Sequence, residues 1–331
     1  MIRVALNGFG RIGRRVFRLL HKHQQIKVVA INDISDSRTL SHLLKYDSIH
    51  GVFSSSVTYD DNNIIVNDKK ITFTSHSHPN SINWRNDNID YVIEASGKFK
   101  SLSDLEHHII NGAKKVILAV PAVDDDIPTV VLGVNDNILS DRDIIVSCAS
   151  CTTNNAAPMI AIINELSKIK QAYITTVHSY TTDQSLHDQP HRDLRRARAA
   201  GQSIVPTTTG AAKALTKIFP DLSDVIGGCG IRVPVANGSL TDITLNVTET
   251  ISVSEINNAF KEASQGKFKG ILEYTEDPIV SIDIVGNPHS CIFDAQMSSV
   301  IGNMVKIIGW YDNETGYSSR IIDLIQKLSS K

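Results

Sequence analysis

Short apolar runs alternate with amphipathic stretches along the first half of the chain. Between the runs at 2–6 and 26–31, Val16, Phe17 and Leu20 recur at helical spacing. Apolar runs of this length are typical of strands buried on both faces, and strands that alternate with helices build parallel sheets. The predicted strands lie at 2–6, 26–31, 91–95, 116–118 and 144–146. The pattern therefore predicts a doubly wound α/β domain.

Two other regions predict antiparallel strands. Residues 52–73 alternate in polarity around turns rich in asparagine and aspartate, as in a meander. In the second half, a helix at 252–263 accompanies strands predicted at 172–177, 230–234, 240–249, 279–284, 290–294 and 304–310. These runs predict an α+β domain with a mixed, largely antiparallel sheet. A last helix at 318–328 is expected to return to the first domain.

Length and composition limit the possible classes of protein. A chain of 331 residues, 41% of them hydrophobic, is long enough for two packed cores, and its charge of −2 gives no footprint for nucleic acid. No apolar run approaches the about 18–20 residues of a membrane span, and the start lacks the regions of a signal peptide. Four cysteines do not make a disulfide framework. We expect a cytoplasmic protein with reduced cysteines, no metal, and no nucleic-acid or membrane partner.

The turn after the first predicted strand carries three spaced glycines. Gly8, Gly10 and Gly13 form the pattern G-x-G-x-x-G between a strand and a helix. The first makes the tight turn, the second admits a pyrophosphate, and the third lets the helix lie close to the strand. Arg11 and Ile12 open the helix, whose free amides would bind the diphosphate. The pattern predicts a Rossmann-type dinucleotide-binding domain.

An acidic residue follows the second predicted strand. Asp33 lies twenty residues beyond Gly13, where a carboxylate accepts hydrogen bonds from both ribose hydroxyls and repels a 2′-phosphate. The bulky neighbour Ile34 favours the same choice, although Arg38 could offset the repulsion. This pattern predicts NAD rather than NADP as the cofactor.

Cys151 stands where a predicted strand passes into a predicted helix, between the run 144–146 and the helical spacing of 159–166. Unpaired amides and the dipole at a helix N-terminus favour a thiolate and lower the thiol pKa from about 8.5. His178 follows the predicted strand 172–177, where it could serve as a base or be an ordinary loop residue. The pattern indicates a nucleophilic thiol, with a buried structural cysteine as the alternative.

The residues around Cys151 read S-x-A-S-C-T-T-N. This segment resembles the active-site signature of phosphorylating glyceraldehyde-3-phosphate dehydrogenases. Other segments resemble the family's motifs in the same order, including H-S-Y-T at 178–181 and W-Y-D-N-E-T-G-Y at 310–317. The resemblance runs from residue 4 to residue 328. It implies NAD-dependent oxidation of D-glyceraldehyde 3-phosphate through a cysteine thioester, which inorganic phosphate cleaves to 1,3-bisphosphoglycerate.

The resemblance also implies roles for single residues. Cys151 would be the nucleophile and His178 its base. The residues that would bind NAD, besides the glycine-rich turn and Asp33, are Ser96, Ala119, Asn313 and Tyr317. The residues that would bind the substrate's phosphate and inorganic phosphate are Ser150, Thr152, Thr181, Asp183, Arg196, Thr209, Gly210 and Arg232.

The same resemblance implies the domain organisation. Residues 1–149 would form the NAD-binding domain, to which helix 316–331 returns, and residues 150–315 the catalytic domain. Residues 179–203 resemble the family's S-shaped loop, which packs at the centre of a homotetramer. The alternative for this basic segment is a solvated charged face.

Three alternatives stay open from the sequence. Erythrose-4-phosphate dehydrogenase shares the thiol and the histidine but mainly hydrolyses its thioester, and the segment 208–213 favours the phosphorylating enzyme. A binding or adhesion protein could use the same fold without catalysis. Cys148 and Cys151 form C-x-x-C, which predicts either a pair that oxidises to a disulfide or a Cys148 thiol that is buried and points away.

Overall fold

The computed structural model describes residues 1–330, which form two compact units. The first unit contains residues 1–130, residues 137–149 and the chain from 318 onward, and the second contains residues 131–136 and 150–317. Residues 131–136 belong to the second unit because Gly133 packs closely on Phe268, whose ring a β-carbon would meet at 3.0 Å. No helix in the described part of the chain has both the length and the apolar character needed to cross a membrane.

The first unit alternates strands and helices along most of its length. Its elements are β1 (Ile2–Asn7), α1 (Arg11–His21), β2 (Ile26–Asn32), α2 (Ser37–Lys45), β3 (Tyr46–Asp47), β4 (Gly51–Val52), β5 (Val57–Asp60), β6 (Asn63–Val66), β7 (Lys69–Thr74), β8 (Tyr91–Glu94), α3 (Leu102–Ile110), β9 (Lys115–Leu118) and β10 (Ile145–Ser147).

The main sheet of the first unit has the order β10-β9-β8-β1-β2-β7-β6-β5. The six strands from β10 to β7 run parallel, and β6 and β5 extend the edge as an antiparallel meander. The predicted doubly wound domain is therefore confirmed. Because β1 is flanked by β2 on one side and β8 on the other, the carboxyl ends of these three strands meet at one edge, where such sheets bind ligands.

The second unit consists of one large sheet with helices. Its elements are α4 (Cys151–Leu166), β11 (Ile169–Ser179), β12 (Val205–Thr207), α5 (Ala211–Ile218), β13 (Ile226–Val233), β14 (Ser239–Val247), α6 (Val253–Gln265), β15 (Leu272–Thr275), β16 (Cys291–Asp294), β17 (Ser299–Ile301) and β18 (Met304–Tyr311). A final helix, α7 (Thr315–Ser329), begins here and belongs to the first unit from Ser318.

The sheet of the second unit has the order β12-β13-β11-β14-β18-β16-β15, with β17 beside β18. Its pairs are antiparallel except β11 with β13 and β15 with β16. The predicted mixed, largely antiparallel sheet is confirmed. No helix or strand lies between Ser179 and Val205, so the chain from 180 to 204 is a long irregular loop.

The strand predicted at 279–284 is wrong. These residues form turns instead. The carboxylate of Asp283 accepts a hydrogen bond from the Val280 amide at 2.8 Å, and the Asp283 amide donates to the Val280 carbonyl at 3.0 Å. Local bonds of this kind compete with sheet pairing, and they leave Val280 and Ile282 exposed.

Candidate active site

Cys151 is the first residue of α4, a helix of sixteen residues. The chain reaches it through Ala149, whose φ of 55° lies in the left-handed region that residues with a β-carbon rarely adopt. Ser150 then caps the helix, because its hydroxyl accepts a hydrogen bond from the Thr153 amide at 3.1 Å. The sharp turn places the thiol at the amino end of the helix.

His178 lies near the end of β11, in the same unit as α4. Its Nε2 is 3.5 Å from Sγ of Cys151, within the hydrogen-bonding range for sulfur. The two side chains are 27 positions apart in sequence, and the packing of α4 on the sheet brings them together. The structure therefore joins the nucleophile and the base that the motifs predict.

Burial sets the resting protonation of this pair. Burial raises the pKa of the Cys151 thiol, and this effect exceeds the lowering of the pKa by the positive charge of Arg232. Burial and the charge of Arg232 lower the pKa of His178 to about 3. The pair therefore rests as a neutral thiol and a neutral imidazole. The helix N-terminus alone predicts a lowered thiol pKa, whereas the structure gives a raised one. The loss of hydration on burial raises the pKa by more than the helix dipole lowers it.

Arg232 controls which nitrogen of His178 carries the proton. It is the β13 residue paired with His178 in the sheet, and its Nη1 lies 2.6 Å from Nδ1 of the imidazole. The carbonyl oxygen of Ser179 lies 2.7 Å from the same nitrogen. A nitrogen that accepts from Arg232 cannot also donate to Ser179. With Arg232 in place the ring proton is on Nε2, and when the guanidinium turns away the proton can move to Nδ1.

Tyr311, which the motif analysis did not single out as a site residue, packs against His178 and holds the segments that carry Cys151 and His178 together. Its buried hydroxyl is 2.8 Å from Oγ1 of Thr152 and 2.9 Å from Oγ1 of Thr176. Its ring meets the His178 ring edge to face, with centroids 5.9 Å apart. The contacts tie the start of α4 to β11. The sequence feature that could have indicated this role is the position of Tyr311 at the end of the last strand, inside the motif at 310–317.

Basic and hydroxyl groups of the second unit gather around the irregular loop. Arg196 donates to Oγ1 of Thr207 at 2.9 Å and to the Thr208 carbonyl at 3.2 Å, and it pairs with Asp183. Thr209 and Gly210 stand directly before α5, with Gly210 at its N-cap position. Asp183 also lies 3.5 Å from His191.

The remaining predicted phosphate residues differ in exposure. Thr181 is half-buried beside the end of β11. Thr152 is buried, and its hydroxyl is turned to Tyr311, so only its backbone can face a ligand. Arg232 is held at His178 and the Ser179 carbonyl.

The glycine-rich turn of the first unit has the shape that a dinucleotide requires. Gly8 has a φ of 94°, and a β-carbon there would lie 2.5 Å from the Ser96 amide nitrogen. A β-carbon at Gly13 would lie 2.2 Å from the Gly8 carbonyl oxygen, whereas Gly10 has no protein atom within 4 Å of that position. The protein fills the space around the first and third glycines and leaves the second open for a ligand.

Asp33 is already oriented toward this turn. Its Oδ2 accepts a hydrogen bond from the Phe9 amide at 2.7 Å, and its Oδ1 accepts one from the Ser35 amide. Arg11 directs its guanidinium to Asp47 at 2.9 Å, so its backbone, and that of Ile12, is what the helix start can offer a ligand. The fit of these residues to a dinucleotide is therefore good.

Other predicted cofactor residues lie in both units. Ser96 follows β8 and Ala119 follows β9, at the carboxyl edge of the first unit's sheet. In the second unit, Oδ1 of Asn313 accepts hydrogen bonds from the hydroxyls of Ser179 at 2.8 Å and Ser239 at 3.0 Å. These bonds fix the orientation of the Asn313 side-chain amide. Tyr317 is buried at the start of α7.

Comparisons with known proteins agree along the whole chain. The glyceraldehyde 3-phosphate dehydrogenase C-terminal domain matches residues 150–313, and the NAD binding domain of the same family matches residues 2–102. "Glyceraldehyde-3-phosphate dehydrogenase 2" of Streptomyces avermitilis is 50% identical over 326 residues, covering 98% of this chain and 97% of that protein. The chain belongs to the glyceraldehyde-3-phosphate dehydrogenase family.

Two further relatives show the same extent of similarity. The glyceraldehyde-3-phosphate dehydrogenase of Thermotoga maritima is 49% identical over 331 residues, covering 99% of each chain. "Glyceraldehyde-3-phosphate dehydrogenase 1" of Bacillus cereus is 46% identical over 333 residues, covering 100% of this chain and 99% of the relative. The family resemblance inferred from the motifs is confirmed. The first unit carries the family's NAD-binding domain, and NAD is its cofactor.

Cys148 differs from Cys151 in environment. Neither cysteine is in a disulfide, and Cys148 is buried directly after β10. Burial raises the pKa of the Cys148 thiol to about 12, which keeps it protonated near neutral pH. Within the family site, Cys151 is therefore the thiol that lies beside a base.

Proposed function

We propose that the chain is a phosphorylating glyceraldehyde-3-phosphate dehydrogenase of glycolysis or gluconeogenesis. It converts D-glyceraldehyde 3-phosphate, NAD and inorganic phosphate to 1,3-bisphosphoglycerate and NADH. The observation that carries the proposal is the Cys151 thiol 3.5 Å from His178, with Arg232 on the other side of the imidazole. A nucleophile, a base and an anion-binding group thus converge in one unit, and the family supports the same reaction.

Substrate binding prepares His178 to accept a proton. The substrate's phosphate attracts the Arg232 guanidinium and competes with Nδ1 for its N–H groups. The ring proton then lies on Nδ1, and this N–H donates to the Ser179 carbonyl. Nε2 carries no proton and becomes an acceptor toward Cys151. Arg232 therefore couples occupation of the phosphate site to activation of the thiol.

The reaction then proceeds by covalent capture. Sγ of Cys151 bonds to the aldehyde carbon, and the thiol proton passes by way of Nε2 of His178 to the carbonyl oxygen, giving a hemithioacetal. NAD, when bound, supplies the acceptor for the hydride. His178 takes the hydroxyl proton as the thioester forms. An oxygen of inorganic phosphate attacks the thioester carbon, the carbon–sulfur bond breaks, and Cys151 recovers its proton from His178.

Two sets of residues hold the two phosphate groups in this proposal. Thr181 and Arg232 bind the substrate's own phosphate. Inorganic phosphate is held by Ser150, the backbone of Thr152, Thr209, Gly210 and Arg196. The carboxylate of Asp183 is itself an anion and repels phosphate, and it pairs with Arg196, so we assign it the task of orienting that guanidinium.

The cofactor site follows the same reasoning. Gly8, Gly10 and Gly13, with the backbone of Arg11 and Ile12, hold the diphosphate at the start of α1. Asp33 binds the adenosine ribose. In the first unit, Ser96 and Ala119 are also assigned to NAD binding. In the second unit, Asn313 and Tyr317 are assigned to the nicotinamide, with the Asn313 amide as the donor to its carboxamide. Cofactor binding is assigned to residues 1–149 with the helix from 316, and catalysis to residues 150–315.

We further propose a cytoplasmic homotetramer. Leu186, Leu194 and Ile204 of the irregular loop are 78%, 83% and 70% exposed. Large apolar side chains grouped on one loop favour burial against another subunit. Sedimentation of the purified protein tests this, since a monomer in solution would contradict it.

The test of function is NADH production from glyceraldehyde 3-phosphate and NAD, with and without inorganic phosphate. Strong phosphate dependence supports the proposal. Phosphate-independent turnover that favours erythrose 4-phosphate would contradict it, and NADP serves as the cofactor control. Cys151→Ala should abolish turnover while NAD still binds, with Cys229→Ala as the matched thiol control. Substantial phosphorylating activity in Cys151→Ala would overturn the assignment of the nucleophile.

A further inference from the structure

A ladder of buried polar side chains crosses the carboxyl edge of the first unit's sheet. It connects the ends of four neighbouring strands, β7, β2, β1 and β8, and continues into α3. We call this set the edge ladder; it consists of Thr74, Asn32, Asn7, Glu94, His108 and Trp84. Asn7, Asn32, Glu94, His108 and Trp84 are at most 3% exposed. Three of these buried residues, Asn7, Asn32 and Glu94, stand at strand ends of an otherwise apolar sheet, and buried polar groups in that place require a role.

The hydrogen bonds on the strand side of the ladder all point toward Glu94. The Thr74 hydroxyl and the His76 amide donate to Oδ1 of Asn32 at 2.9 Å each. The Asn32 amide donates to Oδ1 of Asn7 at 2.8 Å, and the Asn7 amide donates to Oε2 of Glu94. Each amide is oriented by the bond it receives.

The helix side of the ladder points to the same carboxylate. The Trp84 indole donates to Nδ1 of His108 at 3.0 Å, which leaves the ring proton on Nε2. That nitrogen lies 3.1 Å from Oε2 of Glu94 and donates to it. Oε1 accepts from the amide of Ser96 at 2.9 Å and from its hydroxyl at 2.5 Å. Glu94 thus accepts four hydrogen bonds, two on each carboxylate oxygen.

We infer that Glu94 is a positioning residue of the cofactor site, which fixes the glycine-rich turn through Asn7 and the neighbouring loop through Ser96. Asn7 directly precedes Gly8, and Gly8 lies against the backbone of Ser96 so closely that a β-carbon would not fit. Asn32 directly precedes Asp33, the proposed ribose ligand. The ladder therefore holds three segments that bound the proposed NAD site in one fixed relation.

The inference rests on the proposed NAD site and predicts the effect of one isosteric change. In Glu94→Gln, one oxygen can still accept from Ser96, but the new amide faces Asn7 and His108, which are both donors. The side-chain amides of Asn7 and Asn32 must then turn over to reverse the direction of the hydrogen bonds. The His76 backbone N–H can only donate, so it would face the amide nitrogen of Asn32. We expect the dissociation constant for NAD to rise about tenfold, which corresponds to about 1.4 kcal/mol, while kcat at saturating NAD stays within about twofold.

The measurement is calorimetric titration of the full-length enzyme with NAD, alongside the alkylation rate of Cys151 by iodoacetamide without NAD. Asp294→Asn is the matched control, because Asp294 is a buried carboxylate that accepts a tryptophan indole in the second unit. This control should leave the NAD dissociation constant within about twofold of the wild-type value. In Glu94→Gln the alkylation rate should also be unchanged.

A second variant keeps the test decisive if Glu94→Gln does not fold. His108→Phe removes one donor to Glu94 from α3 and leaves the bonds to Asn7 and Ser96. We expect threefold to tenfold weaker NAD binding, an effect of about 0.7–1.4 kcal/mol. A folded Glu94→Gln or His108→Phe enzyme that binds NAD as tightly as the wild type would overturn the inference. Failure of the wild type to bind NAD would instead overturn the proposed function.

Discussion

Two glycines of the turn between β1 and α1 yield opposite predictions. A β-carbon at Gly13 would lie 2.2 Å from the Gly8 carbonyl oxygen, and real contacts essentially never fall below 3.0 Å. Helix and turn must therefore separate by about 0.8 Å in Gly13→Ala, and overpacking of this kind costs about 1–3 kcal/mol of stability. We expect Gly13→Ala to lower the free energy of unfolding and to weaken NAD binding together.

Gly10→Ala should separate the two effects. Among the described residues, no atom beyond the glycine and its two chain neighbours lies within 4 Å of a β-carbon at Gly10, and its φ of −71° suits alanine. The loss of glycine at the N-cap position should cost less than about 1 kcal/mol. In the bound state, however, the methyl group would occupy the space proposed for the diphosphate. We expect NAD to bind at least about tenfold more weakly, or about 1.4 kcal/mol, while the NAD-free enzyme unfolds almost as the wild type does.

Thermal unfolding without NAD and calorimetric titration with NAD measure the two quantities. Gly201→Ala is the control, because Gly201 also has nothing within 4 Å and lies in the second unit. Wild-type NAD affinity in Gly10→Ala would refute the placement of the diphosphate. Wild-type stability in Gly13→Ala would refute the close packing of α1 on the turn.

Three other predictions follow from the second unit. The pKa of His178 is lowered to about 3 in the folded protein, so as the pH falls below about 6.5 the unfolded chain binds a proton at this histidine and the folded protein does not. The free energy of unfolding should therefore fall by on the order of 2 kcal/mol between pH 7 and pH 5. Thermal unfolding should show a smaller acid loss in His178→Asn, and an equal loss would contradict the assignment. Tyr311→Phe removes two buried hydrogen bonds and should cost about 1–3 kcal/mol in denaturant unfolding, with an unchanged midpoint as the contrary result. Arg232→Gln should raise KM for glyceraldehyde 3-phosphate at least about tenfold and leave KM for NAD unchanged, because a charge-assisted bond contributes about 1.5–3 kcal/mol. Arg198→Gln, an exposed arginine paired with Asp188, is its control, and equal KM values in both variants would argue against a phosphate site at Arg232.

The sequence was most informative where chemistry depends on neighbouring residues. The glycine-rich turn, the acid after β2 and the thiol at the start of α4 are local patterns, so short segments were enough to predict them. Many strands of both sheets followed from apolar or alternating runs for the same reason, whereas the short strands β12, β15 and β17 were not predicted. The prediction of a strand at 279–284 was wrong because the pattern does not show whether a side chain closes a local turn. The carboxylate of Asp283 closes such a turn by accepting a hydrogen bond from the Val280 amide.

Long-range contacts account for what the motifs could not show. Tyr311 reaches Thr152 and Thr176 across 159 and 135 positions, and Glu94 joins residues from β1 and α3. In both cases a strand end in the folded sheet brings the partners together. Their side chains look like ordinary strand-end residues until the neighbouring strands are in place.

The sequence by itself determined the family and the fold class, and it predicted the thiol and its histidine, because local patterns carry each of these features. Only the tertiary structure decided the protonation of that pair, since burial and the charge of Arg232 depend on groups distant in the chain. Only the tertiary structure, likewise, brought the edge ladder together at Glu94. Hydration and charge act through space, whereas sequence patterns record only neighbours along the chain.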